Sequence, residues 1–204
     1  MTTPPEALTT AAHSRLVRAD SRHWLPTLPA ASVDAVVTDP PFTSQEWYTP
    51  ACVLDRVIEL FGEIDLDPCS NSHEHPWVPA LRHLTKEDDA LAQSWSGKVF
   101  VNPTFHDAEK FVRKLLDEFA SGRVTEALLL VRSSTDTKWA SLLRDVPRCH
   151  VTGRLKFVPS EGTPKKNGAT FGSSIFYLGP DLDRFNEVFA KGPGRLGDVF
   201  VRVK

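Results

Sequence analysis

Two tetrapeptides close apolar runs in this chain and carry the same chemical equipment. "VFVNPTF" ends in Asn102-Pro103-Thr104-Phe105, and "VDAVVTDPPF" ends in Asp39-Pro40-Pro41-Phe42. Each sets an acceptor side chain, a proline carbonyl and an aromatic ring at the end of a predicted buried strand, which suits the holding of a flat amine. The exocyclic amine of a nucleobase is a poor nucleophile because its lone pair is delocalised into the ring. A site that transfers a group to it must therefore engage both N–H groups with acceptors. The Asn or Asp oxygen supplies one acceptor and the proline carbonyl the other. Proline's fixed φ stiffens the turn, and the Phe can stack on a base that has left its duplex.

Plainer readings stand beside these. A "DPPF" after a strand is ordinarily a rigid turn. Asp65 and Asp67 share a short strand, so one is expected at the site and the other in a structural or exposed role. Asp88 reads as a solvated neighbour of Asp89. "CSNSHEHPW" offers Cys69, His73 and His75, but no second ligand pair at a usual spacing follows, so no metal is expected. Trp47, Trp77, Trp95 and Trp139 read as core or rim packing, Trp47 being the one expected to touch a ligand. Lys165 and Lys166 lie in a loop flanked by Gly, Pro and Asn, which is either a solvated turn or a contact for phosphate.

The elements that must position these residues follow from periodicity. "VDAVVT" is a predicted strand. In "TPACVLDRVIELFG", Thr49 is the expected cap and Pro50 the first turn, an apolar stripe runs from Val53 to Phe61, and Gly62 stops the helix. "IDLDP" and "KVFV" are strands, and the stretch from Cys69 to Trp95 between them reads as loops and short turns. A helix "HDAEKFVRKLLDEFASG" presents Phe111, Val112, Leu115, Leu116 and Phe119 on one face. Then come strand "EALLLVR", helix "TKWASLLRD", strand "CHVTGRLKFV", a polar loop, strand "SSIFYLG", helix "DLDRFNEVFA" and strand "DVFVRVK". The alternation predicts an α/β fold with a doubly wound, mostly parallel sheet whose last strands are antiparallel at one edge. Ligands of such sheets bind beyond the carboxyl ends of the strands, where "DLDPCSN" and "VNPTF" put their polar residues.

Composition sets bounds. A length of 204 residues suits one well-buried domain. A formal charge of −2 excludes a basic, nucleic-acid-coating protein, so any DNA contact must come from local patches. Three cysteines that lack zinc-ribbon spacing suggest a reducing interior, and neither a membrane span nor a secretory leader is evident, so a cytoplasmic location is expected. The organisation expected is a flexible tail over 1–15 and a single domain over 16–204. Within that domain, 16–45 is an extra strand segment and 46–178 the core.

The ordered series "EWYTPACVLDRVIELFGEIDLDPCSN…KEDDALAQSWSGKVFVNPTF…STDTKW…GRLKF" resembles the phage-type DNA N6-adenine methyltransferases, which use S-adenosylmethionine. The resemblance implies the Rossmann-like methyltransferase fold and assigns roles. Trp47, Thr49 and Pro50 would lie at the methionine end of the cofactor. Asp67, Pro68 and Cys69, with Ser70, would form the cofactor-binding turn, although the glycines usual in wider methyltransferase folds are absent. Asp89 would accept from the cofactor's adenine. Asn102, Pro103 and Phe105 would be catalytic, with Thr104 standing where the family usually has a second proline.

The Asp39 segment resembles the stretch leading into the catalytic tetrapeptide of a circularly permuted class of amino-methyltransferases, and breaks off immediately afterwards. The expected activity is therefore methylation of adenine N6 in flipped-out DNA, carried by Asn102. The same fold acting on cytosine N4 or a glutamine amide, or an inactive DNA- or cofactor-binding relative, are the alternatives.

Overall fold

The structure is a computed structural model that describes residues 47–159 and 169–202, together with the backbone of 6–11 and 14–18. The chain divides into two compact units, Met1–Thr43 and Ser44–Lys204. In the first, β1 (Glu6–Ala11) pairs antiparallel with β2 (Ser14–Arg18), so a two-stranded ladder spans the position at which the sequence suggests a change from tail to domain. The strand expected over "VDAVVT" and the Asp39-Pro40-Pro41-Phe42 turn lie outside the described residues.

The second unit is built on a seven-stranded sheet. Its strands are β4 (Ile64–Asp67), β5 (Ala80–His83), β6 (Gly97–Val101), β7 (Val124–Arg132), β8 (Arg148–Val151), β10 (Ser173–Leu178) and β11 (Gly197–Phe200), in the order β11-β8-β10-β7-β6-β4-β5. The neighbours β5-β4, β4-β6 and β6-β7 are parallel, whereas β7-β10, β10-β8 and β8-β11 are antiparallel. A mixed α/β sheet thus replaces the expected mostly parallel one. The reason is that β10 enters between β7 and β8, so the antiparallel part takes up half the pairings instead of one edge.

Period-two alternation buries both faces of the central strands. Val99, Val101, Ala127, Leu129 and Val131 share one core with Val112 and Leu115 of α2 (Ala108–Ala120) and Trp139 of α3 (Lys138–Leu142). Phe100, Leu128, Leu130 and Ile175 share the other with Val53 and Val57 of α1 (Ala51–Phe61) and Phe185 and Phe189 of α4 (Leu182–Ala190). Both faces of the sheet are therefore covered by helices.

Several local details depart from the expectations. Pro50, not Thr49, is the N-cap of α1, and no side chain caps that helix. The segment Cys69–Trp95 contains a strand, β5, and a 3-10 turn, Lys86–Asp88. "CHVTGRLKFV" is not one strand: it breaks at Gly153, whose φ is 77°, and its far end forms β9 (Val158–Pro159), which pairs with β3 (Trp47–Tyr48). Glu118, on the apolar face of α2, is buried. Burial pushes its carboxyl up, but Arg123 at 2.5 Å and Lys114 at 2.7 Å outweigh that and hold it below its ordinary value.

Candidate active site

Parallel strands β4 and β6 are neighbours in register, Leu66 opposite Val99, so their carboxyl ends open on the same edge of the sheet. There Asp67, ending β4, and Asn102, following β6, line one cleft with Thr49, Cys69 and Trp47. Five residues picked from sequence thus meet in one place.

Thr49 is the hub. Its hydroxyl, unused as a helix cap, accepts from Asn102 Nδ2 at 2.9 Å. Its carbonyl accepts from Trp77 Nε1 at 2.7 Å, and Trp77 stacks on Tyr48 with ring centroids 5.0 Å apart. The bond to Thr49 fixes which way the Asn102 amide faces. Its Oδ1 accepts no hydrogen bond among the described residues, and the side chain is only half-buried in the cleft wall. Pro103 behind it is buried.

Asp67 is 2 % exposed. Oδ1 accepts from the Cys69 backbone N–H at 2.9 Å, and Oδ2 has no partner among the described residues. Burial pushes its pKa up to about 7, against the pull of that one bond. Burial and the adjacent Asp67 carboxyl likewise push the Cys69 thiol well up, so Cys69 is a neutral wall of the cleft and not a nucleophile. Asp65 serves the sheet instead, since its Oδ2 accepts from the Lys98 backbone N–H at 2.6 Å and ties β4 to β6.

Asp89 is not in the cleft wall. It is exposed, with φ 47°, at the end of the 3-10 turn, and its carboxylate has no partner among the described residues. Its turn is nevertheless tied to the Asp67 turn, since Leu84 N–H donates to Asp67 O and Ser70 N–H to Leu84 O, both at 2.9 Å. Asp88 is no bystander. It accepts from the Thr85 N–H at 2.7 Å, closing a capping box, and lies 2.7 Å from His73 Nε2. No cluster of three or more His, Cys, Asp or Glu able to hold a metal occurs among the described residues.

Phe105 is 59 % exposed, and its ring is propped edge-on by Phe171 with centroids 4.7 Å apart. Thr104 is engaged as well: its hydroxyl donates to Asp107 Oδ2 at 3.0 Å and its carbonyl accepts from Asp107 N–H at 3.2 Å. Lys165 and Lys166 lie outside the described residues.

Tyr48, Asn71, Trp77 and Val78 also line the cleft, and sequence reasoning missed their part. The available signal was positional: Tyr48 adjoins Thr49, and Trp77 is an aromatic residue in an otherwise polar loop. Trp95 and Trp139 behave as packing, Trp95 being fully buried with its Nε1 donating to Ala90 O at 2.8 Å.

An α/β sheet with an acceptor-lined cleft beyond the carboxyl ends of adjacent parallel strands has that cleft where folds of this class bind their ligands. The family model of the DNA N-6-adenine-methyltransferases (Dam) matches residues 39–186, and the chain belongs to that family. It is a DNA N6-adenine methyltransferase, for which the family implies S-adenosylmethionine as methyl donor. No curated protein matches the chain. No helix among the described residues is long and apolar enough to cross a membrane.

Proposed function

We propose that the cleft at the carboxyl ends of β4 and β6 is where this enzyme holds both its cofactor and the adenine it methylates. The observation that carries this reading is the Asn102 amide, whose nitrogen donates to Thr49 while its oxygen has no partner among the described residues. Asn102 Oδ1 and the Pro103 carbonyl take the two N–H groups of adenine N6, drawing electron density onto the nitrogen as it becomes a nucleophile. Phe105, exposed and propped by Phe171, packs on the face of the flipped base. Thr104 replaces the stiffness of a second proline by its hydroxyl bond to Asp107.

The residues fit S-adenosylmethionine in one respect that the geometry supports directly: a buried carboxylate with an unpartnered oxygen suits a ligand ammonium. Asp67, Pro68 and Cys69, with Trp47, Thr49 and Pro50, would hold the methionine end, and Asp89 would accept from the adenine end. When bound, the cofactor supplies an electrophilic methyl on a sulfonium, so the protein need contribute no covalent nucleophile. The fold is then of the Rossmann-like methyltransferase type, with its core over 46–178, and sequence preference rests on segments such as 159–172.

The test is incubation of DNA with protein and cofactor, digestion, and mass spectrometry of the nucleosides. N6-methyladenine is expected. N4-methylcytosine, or no methylated nucleoside at all, would refute the reading.

A further inference from the structure

A second cavity opens beyond the same edge of the sheet, and neither cofactor nor base occupies it in the reading above. It holds about 230 Å3, is open to solvent, and is lined by Ser133 after β7, Ser174 of β10, Arg148 and His150 of β8, and Arg144, over the ring of Phe176. Its position follows from topology. β6 and β7 are parallel neighbours, Val101 opposite Leu129, and β7 runs on to Arg132 before Ser133. A line of contacts joins the cavity to the base-holding loop: Phe105 meets Phe171, and the Ser133 N–H donates to the carbonyl of the next residue, Gly172, at 2.8 Å.

The polar groups form a chain with one direction of donation. Arg148 Nε donates to His150 Nε2 at 3.3 Å, so that nitrogen must carry a lone pair and Nδ1 the proton. Burial, and then the Arg148 charge, hold the His150 pKa below its ordinary value, in keeping with a neutral ring. Nδ1–H therefore donates to Ser174 Oγ at 2.8 Å, and the Ser174 hydroxyl in turn donates to Ser133 Oγ at 2.7 Å. Ser174 is 1 % exposed, so this relay is built into the wall. The Ser133 O–H is left as a donor with no acceptor among the described residues. Arg148 lies with its guanidinium carbon 5.9 Å from the centroid of the Phe176 ring, and its Nη1 donates to Arg144 O at 3.3 Å, leaving Nη2 with no partner among the described residues. The exposed Arg144 donates from its Nε to Ser141 O, and neither of its terminal nitrogens has a partner among the described residues.

Two guanidinium groups and a hydroxyl oriented to donate, with no carboxylate in the lining among the described residues, make a site for an anion with several acceptor oxygens. We propose that this cavity grips a phosphodiester of the DNA strand, close to the flipped adenine, with Arg144 and Arg148 supplying charge and Ser133 a directed hydrogen bond. The proposal rests on DNA being the substrate. A chain with a formal charge of −2 needs such local cations, because its overall field does not attract DNA.

The test measures binding of a fluorescent DNA duplex as a function of salt, in the presence of a non-reactive cofactor analogue, for wild type, Arg144→Ala, Arg148→Gln and Ser133→Ala. Each arginine variant should weaken binding several-fold for duplexes of any sequence and reduce the slope of log K against log salt by about 0.9, one phosphate contact's worth. Ser133→Ala should weaken binding without altering the slope, since it removes no charge. Affinity for the cofactor analogue alone and the unfolding temperature of Arg144→Ala, an exposed site, should stay at wild-type values.

Unchanged slopes in both arginine variants, with wild type binding normally, would overturn the phosphate grip and leave the methyltransferase reading standing. A loss confined to duplexes of particular sequence would also overturn it, in favour of a base contact. Wild-type protein that binds no duplex would overturn the use of DNA itself, and the grip with it.

Discussion

At the scale of single residues, the cleft is lined by polar groups that find only part of their partners among the described residues. Asp67 is the clearest case: burial raises its pKa from 3.8 to about 7, so the folded protein holds a proton there that the unfolded chain has released. The consequence for stability has a definite sign. Between about pH 4 and pH 7 the native state binds more protons, so this group's contribution is full at low pH and is lost as pH rises through about 7. Asp67→Asn should flatten that dependence in urea unfolding measured at pH 5 and pH 8. A ligand ammonium reverses the preference, because it favours the carboxylate. S-adenosylmethionine should therefore bind more tightly above pH 7, and at pH 6 its binding should release a proton. Calorimetry at pH 6 in two buffers of different ionisation enthalpy reads this directly, and equal heats in both would detach Asp67 from the cofactor. Thr104→Pro tests the neighbouring loop: proline restores stiffness but removes the hydroxyl bond to Asp107. Turnover within about threefold of wild type is expected, as the two effects oppose each other. A loss of a hundredfold would mean that the threonine has a part in the chemistry.

Elements were legible in the sequence where burial imposes a period. α1, α2 and α4 carry apolar stripes, and β6 and β7 are apolar because both faces are covered. β5 was not legible, because Ala80–His83 lies at the sheet edge with Leu81 and Arg82 exposed, leaving no hydrophobic signal. Strand direction was equally hidden. Periodicity says nothing of β10 inserting between β7 and β8, nor of β9 pairing with β3 more than a hundred positions earlier. Of the residues that line the cleft, Asn102, Asp67 and Thr49 were legible because they end or begin periodic elements, whereas Trp77 and Asn71 were not, because they sit in an irregular loop. One glycine holds two of these elements together. Gly97 opens β6 at φ 75°, and a Cβ there would overlap the Asp65 carboxylate that receives the Lys98 N–H. Gly62 shares that φ with nothing within 4 Å of its added carbon. Gly62→Ala should cost only the backbone strain, about 1 kcal/mol, and Gly97→Ala about 2–3 kcal/mol, because the β4–β6 tie must also move. Thermal unfolding of the pair should show the larger drop for Gly97→Ala. Equal drops would mean that Asp65 yields freely.

At the scale of the whole molecule, two tetrapeptides compete for one reaction. The family match begins at Asp39, so it takes in both, and only Asn102 has a described setting, in one cleft with a buried carboxylate and with its oxygen unpartnered among the described residues. Among the described residues such a cleft lies at the junction of β4 and β6, and the strand that follows the Asp89 turn and leads into it is β6. If that cleft is the working site, the Asn102 oxygen matters mainly as charge develops on the amine. Asn102→Ala should then reduce methyl transfer by about a hundredfold or more while leaving cofactor affinity nearly intact. Asp39→Ala should leave transfer close to wild type. Replacing Lys165 and Lys166 by alanine should weaken DNA binding and flatten its salt dependence while sparing cofactor affinity. Single-turnover rates with excess enzyme, alongside calorimetric cofactor affinity for each variant, separate these effects, because they read chemistry apart from binding. A protein still active as Asn102→Ala and inactive as Asp39→Ala would move the reaction to the amino-terminal tetrapeptide and leave the Asn102 amide as a structural clasp on Thr49.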